Sequence, residues 1–330
     1  MKRAGGMEDS TPQRQKLLSR LDYFFVLRPT LFFPVWTVAL TGFWSHERTM
    51  AGLPWFYGFW PLRGITVMQG LALLLLTVLM GAAFLLNQLT DVESDRFNNK
   101  LYLVASGAVP ERHARMESLL LLAVGLGGLT GLKPALALCA LFIFAVTGWA
   151  YSCKPFLCKD RPWLGLWANL SGSVLIYLFG WSMAGPLSWS ALRCGLPYVL
   201  GIGAVYLLTT IPDRPGDAAA HKITLAVRWG ETRIYRAAVI CSGLAVVAAL
   251  LTKEGVALAA TLTVWPFFIW AWHRETVESA LQTNKMATLA LSLLICWRIP
   301  VYLFLLAGLF FFSKWYYRHR FNVHYPSLLT

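Results

Sequence analysis

Apolar residues along this chain come in long blocks rather than in amphipathic stripes. Blocks of about 20 residues are what crossing a bilayer requires. Judged on length and freedom from charge, nine spans are predicted, at 23–42, 66–90, 117–132, 135–152, 164–184, 194–212, 237–252, 256–272 and 287–313. The third span is short and the turn "LKPA" after it is tight, so spans three and four read as a hairpin. No repeat of about 20–50 residues is visible. The predicted fold class is all-α, a polytopic membrane bundle over residues 22–313, flanked by a polar amino-terminal segment (1–21) and a polar tail (314–330). The apolar stretch from Tyr23 shows no small-residue cleavage pattern and is expected to be a retained first helix.

Composition supports this reading. Of 330 residues, 57% are hydrophobic and 14% charged, and mean hydropathy is +0.55; a soluble domain carries about a quarter charged residues. The net charge of +13 would suggest nucleic acid in a soluble protein. Here Lys and Arg sit between apolar blocks, concentrated in the amino-terminal segment and in the loops after spans two, four, six and eight. That bias predicts a cytoplasmic amino terminus and contact with anionic headgroups, with no nucleic-acid partner. The expected location is the bacterial inner membrane. One feature dissents: nine spans would place the basic tail outside, although it carries Lys314, Arg318 and Arg320. The six cysteines are scattered and predict neither a disulfide framework nor a zinc site, and the six histidines do not cluster.

Against this apolar background, "NQLTDVESDRFNNK" (87–100) follows the second span without a break. In a helix Asn87, Asp91 and Asp95 share one stripe. Crowded oxygen donors are unfavourable unless a cation joins them, and Mg²⁺ accepts a few carboxylates while leaving room for water and phosphate oxygens. A helix end that has merely reached the headgroups is the bland alternative. A second acidic pair, Asp213 and Asp217 in "TTIPDRPGDAAAHKITLAVRWG", ends span six, with Lys222 and Arg228 after it. There Pro212, Pro215 and Gly216 are expected to interrupt the helix. "YSCKPFLCKDRPWLG" adds Tyr151, Lys154, Lys159 and Arg161 after span four. Two acidic pairs and several cations in one layer suit a diphosphate: Mg²⁺ bridges its oxygens and Lys or Arg neutralises the rest.

At this point the motifs resemble those of the UbiA superfamily of intramembrane prenyltransferases. "NQLTDVESD" is similar to its first aspartate motif, "DRPGD…KITLAVRWG" to its second, and "LRPTLFFPVWTVALTG" to its first helix. The resemblance covers residues from about 20 to 312. It implies nine helices around a central, lipid-open cavity and Mg²⁺-dependent transfer of a prenyl group from its diphosphate. It also implies that Asn87, Asp91, Asp95, Asp213 and Asp217 bind metal and diphosphate, with Asp91 and Asp213 as catalytic residues. Tyr151 and Lys159 would belong to a diphosphate-contacting loop, with Lys222 and Arg228 nearby. The chain departs from the pattern at Gln88, Leu101, Thr210, Ala218 and His221. Gln88 and "IPD" resemble the homogentisate and tocopherol branch, which suggests an aromatic acceptor.

The expected mechanism is loss of diphosphate to leave an allylic cation, sheltered by apolar walls and stabilised by aromatic faces. Tyr151, Trp149, Tyr177, Trp181 and Tyr206 are candidate faces, and most of them are expected to be packing or interfacial residues. A terpene cyclase would use the same motifs without an acceptor, and a glycerol-phosphate or sugar-phosphate acceptor is a further variant. A cation-coupled transporter would instead place its acids at mid-membrane within an inverted repeat. Arg28 is expected to snorkel near the start of span one, and Arg298, near mid-depth in span nine, would need a partner or a water-filled cavity.

Overall fold

The computed structural model describes residues 12–54, 64–97, 103–219 and 221–326. Leu101 and residues 1–11 fall outside that range. Among the described residues there is no strand. The helices in chain order are α1 (Pro12–Phe25), α2 (Phe32–Met50), α3 (Val67–Thr90), α4 (Val92–Phe97), α5 (Glu111–Leu132), α6 (Pro134–Ile143), α7 (Pro162–Ala184), α8 (Trp189–Ala219), α9 (Leu225–Trp229), α10 (Glu231–Thr252), α11 (Gly255–Arg274), α12 (Val277–Arg298) and α13 (Val301–Phe321). Seven segments among them are long and apolar enough to cross a membrane, and Pro134–Ala150 is a shorter apolar one. α5 and α6 form the expected hairpin about Lys133, which caps one helix and starts the other.

Helices pack closely where glycine removes the side chain. A Cβ on Gly180 of α7 would lie 1.7 Å from the Ala39 carbonyl oxygen of α2, and one on Gly42 would lie 2.0 Å from that of Tyr177. Small residues let helix backbones touch in lipid, where no hydrophobic force between helices compensates for a gap. α8 packs along α10, α3 along α5, and α2 along α7. α6 continues as a π-helical turn over Phe144–Ala150 that ends at Tyr151. Such turns often occur at functional sites because they re-aim the residues that follow.

The predicted ninth span is two helices. α12 ends at Arg298, and α13 starts after Pro300, whose ring cannot continue the hydrogen-bond ladder. Residues 314–321, read as polar tail, are the last turns of α13. They return to the end of the bundle that carries α1: Asp22, 1% exposed, accepts from Tyr316 Oη at 2.6 Å and from Arg320 Nη2 at 2.8 Å. The rings of Phe25 and Tyr316 stack 3.6 Å apart. The extra turn in the chain brings Arg320 of the basic tail back to the amino-terminal helix. Arg298 is the last residue of α12, with its guanidinium 4.9 Å from the ring centre of Trp44.

Candidate active site

The first acidic cluster does not lie on one continuous helix. α3 stops at Thr90, and Asp91 (φ −109, ψ 7) caps it before the short α4 begins. The backbone N–H of Asp95 then bonds to the Asp91 carbonyl at 2.8 Å, which restores one turn and keeps the acids together. The second cluster reverses the expectation in the other direction. α8 runs unbroken through Pro212 and Pro215 to Ala219, so Asp213 and Asp217 share a helical face. Proline's φ is compatible with a helix; each costs one N–H bond, and here the rest of the helix holds.

These elements enclose a polar cavity of about 230 Å³. Asn87, Asp91 and Asp95 line one wall and Asp213 and Asp217 another, with Tyr151, Lys159 and Lys222 between them. Lys159 Nζ lies 2.9 Å from Asp91 Oδ1 and also donates to Thr90 Oγ1 at 2.8 Å. Lys222 Nζ lies 3.2 Å from the same carboxylate oxygen and 3.6 Å from Asp160 Oδ1. Burial alone would raise the Asp91 pKa, but the two ammonium groups outweigh it and hold the carboxyl below its ordinary value. Burial would likewise lower the pKa of Lys222, and the charges of Asp91 and Asp160 raise it above the ordinary value. Asn87 Nδ2 donates to the buried Ser152 hydroxyl at 3.3 Å.

A second, largely apolar cavity of about 550 Å³ adjoins the first. Arg28, Asn87, Tyr151 and Thr209 line both and form the neck between them. Phe84, Val205, Val264 and Phe268 contribute to the apolar wall.

The structure therefore gathers every acid singled out from sequence, together with Tyr151, Lys159 and Lys222. It leaves Arg228 outside: that side chain is exposed on α9 and does not line the cavity. Lys154 and Arg161 are exposed as well. Of the candidate aromatic faces, Tyr206 lines the polar cavity, Trp149 points outward at 46% exposure, and Trp181 is fully buried with Nε1 donating to the Pro186 carbonyl. Gln88 is 2% exposed and its amide donates to the Val26 carbonyl, so it ties α3 to the end of α1 and faces away from the site. Arg28, Asp160 and Thr224 are cavity residues that sequence reasoning did not assign. Arg28 reaches the neck from a left-handed backbone conformation (φ 55) just before Pro29, which no periodicity announces.

The donor set fits Mg²⁺ in kind. Oxygen ligands from carboxylates and one amide suit a hard cation, which takes one or two carboxylates per ion and completes its shell with water and phosphate. Among the described residues no three acids, cysteines or histidines form a ready-made cage.

Fold and site together define a membrane-embedded helical bundle whose apolar chamber opens onto a vestibule lined by acidic and basic side chains. Residues 50–288 match the model of the UbiA prenyltransferase family, and the chain belongs to that family. A UbiA homologue from Archaeoglobus fulgidus, solved with GPP and Mg²⁺, shares the fold with a TM-score of 0.65 at 18% identity, covering 87% of this chain and 99% of that one. The structure of a digeranylgeranylglyceryl phosphate synthase has a TM-score of 0.60 at 16% identity, over 84% of this chain and 98% of the other. The bacteriochlorophyll synthase 34 kDa chain of Chloroflexus aurantiacus is 26% identical over 190 residues, 56% of this chain. The match spans 60% of that relative's length.

Proposed function

We propose that this protein transfers a prenyl group from a prenyl diphosphate to an acceptor. The observation that carries the reading is the junction of the two cavities: an apolar chamber of about 550 Å³ ends at Asn87 and Tyr151, where the acidic and basic vestibule begins. An amphiphile with a long apolar tail and a polyanionic head matches both halves at once. The Archaeoglobus homologues solved with GPP and with DMAPP, each with Mg²⁺, support the substrate class.

Asn87, Asp91, Asp95, Asp213 and Asp217 would hold Mg²⁺, which supplies a Lewis acid that draws negative charge off the departing diphosphate. Lys159 and Lys222 add charge-assisted donors along the same wall, and Arg28 does so at the neck. The apolar chamber keeps water from the allylic carbon as its bond to oxygen breaks. Tyr151 presents a ring at the neck, where positive charge develops. The acceptor enters the same chamber, and the rings of Phe84 and Phe268 on its wall suit an aromatic one. The similarity to a bacteriochlorophyll synthase chain supports synthesis of a prenylated pigment or related lipid. The Lys and Arg bias of the loops after spans two, four, six and eight supports a vestibule that faces the cytoplasm.

The test uses purified protein, Mg²⁺ and radiolabelled prenyl diphosphates with candidate aromatic acceptors. Diphosphate release should fall at least about a hundredfold in Asp91→Ala and in Asp213→Ala, the cost of losing one electrostatic contact to the transition state. Full release by both variants overturns the mechanism. A cyclic product formed without acceptor would assign the protein as a cyclase instead.

A further inference from the structure

The far end of the apolar chamber meets a buried polar cluster that the transfer reaction does not use. Tyr198 of α8 lines the chamber and is 5% exposed. Its hydroxyl donates to Glu254 Oε2 at 3.2 Å, and its ring stacks on Tyr177 with centroids 5.7 Å apart. Glu254 is fully buried just before α11 and also accepts from Arg48, itself buried, and from Ser45 Oγ at 3.3 Å. Ala257, in the first turn of α11, lines the chamber too, so the cavity reaches to within one turn of this ion pair.

Position along α8 shows why this matters. At about 1.5 Å of rise per residue, Tyr198 is about 16 Å from Thr209 at the neck and about 22 Å from Asp213. A tail anchored by its diphosphate therefore points at the Tyr198 ring. The wall residues Gly201, Ala257 and Ala260 near it are small, so the Tyr198 ring adds bulk there that an alanine would remove. The ring is also held in place: moving it would deprive a buried carboxylate of a donor, and buried charges tolerate that poorly.

Resting on the prenyl diphosphate reading above, the geometry points to Tyr198 as the floor that sets prenyl chain length, with Glu254 and Arg48 as the residues that position it.

The experiment measures Mg²⁺-dependent binding of dimethylallyl, geranyl, farnesyl, geranylgeranyl and geranylfarnesyl diphosphates to the full-length protein in detergent. Wild-type affinity should rise with each unit until the tail meets Tyr198, and then stop rising. In Tyr198→Ala the break should move one unit longer, with about tenfold tighter binding of the first chain beyond the wild-type limit. Dimethylallyl diphosphate, too short to reach the floor, should bind Tyr198→Ala as it binds the wild type. Tyr198→Phe keeps the ring and should keep the break. Ala257→Leu fills the same end and should move the break to a shorter chain, which gives a second reading should Tyr198→Ala fold poorly. If the diphosphates bind but neither variant moves the break, the floor is wrong while the substrate class stands. If none binds the wild type with Mg²⁺, the substrate class itself fails and the floor with it.

Discussion

Lys222 Nζ lies 3.2 Å from Asp91 Oδ1 across 131 positions of sequence, joining the segment after α8 to the end of α3. That contact brings the two acidic clusters into one vestibule. Together with the closer Lys159 ammonium, it holds the Asp91 pKa down. Because the Asp91 pKa is below its ordinary value of 3.8, the pair's contribution is present above that pH and is lost as pH falls through the lowered value. Because the Lys222 pKa is above its ordinary value of 10.5, the contribution on that side is full below 10.5 and is lost as pH rises through the raised value. Thermal stability attributable to this contact should therefore be flat from about pH 5 to 9. Replacing Lys159 and Lys222 together by Met leaves burial to raise the Asp91 pKa, so this acid limb should disappear and stability should instead fall as pH rises above about 4, read by melting in detergent across pH.

Arg28 and Arg228 make a matched pair of tests. Arg28 lines both cavities, whereas Arg228 is exposed on α9 outside them. Arg28→Met should raise the half-saturating prenyl diphosphate concentration by about tenfold, the loss of one charge-assisted contact. Arg228→Met should change it by less than about twofold, as expected of a solvated charge. A large effect at Arg228 and none at Arg28 would refute the assignment of the neck.

Gly180→Ala should prevent α2 and α7 from closing. The added Cβ would meet the Ala39 carbonyl oxygen at 1.7 Å, and backbone cannot yield as a side chain does. The expected loss is about 3 kcal/mol or more, the upper range for overpacking. Gly127→Ala on α5, where a Cβ meets nothing within 4 Å, is the control and should be neutral or slightly stabilising. Unfolding of the two variants in detergent separates them.

The clasp of Asp22 with Tyr316 and Arg320 predicts topology. A fluorescent reporter fused after Thr330 should mature on the same side of the membrane as one fused before Met1. Arg320→Ala leaves Asp22 buried with the tyrosine as a remaining partner and should cost about 2 kcal/mol of stability. Reporters on opposite sides would contradict the return of α13.

Much of this was legible in the residues themselves. The all-α membrane class follows from block length and charge, because every backbone polar group must be satisfied within a span. Asn87, Asp91, Asp95, Asp213 and Asp217 stood out because carboxylates beside lipid are costly unless they are used. The same reasoning placed Tyr151, Lys159 and Lys222 in the same layer, though it could not separate them from Arg228, since positive charge near a membrane edge has two causes. Gln88 is a different case. Its place in the motif suggested a branch of the family, and its side chain satisfies the Val26 carbonyl.

Composition and spacing by themselves determined the solvent in which this protein folds and singled out the acidic and basic residues that gather in one layer. These are local properties: hydropathy, charge and motif belong to short stretches of chain. Only the tertiary structure decided which residues share a cavity, that α13 turns back after Pro300, and that Arg28 reaches the neck. It alone set Tyr198 against Glu254 and Arg48, on three different helices or their ends. The physical reason is that a buried charge has to find its partner in space, and the partner's distance along the chain carries no record of that meeting.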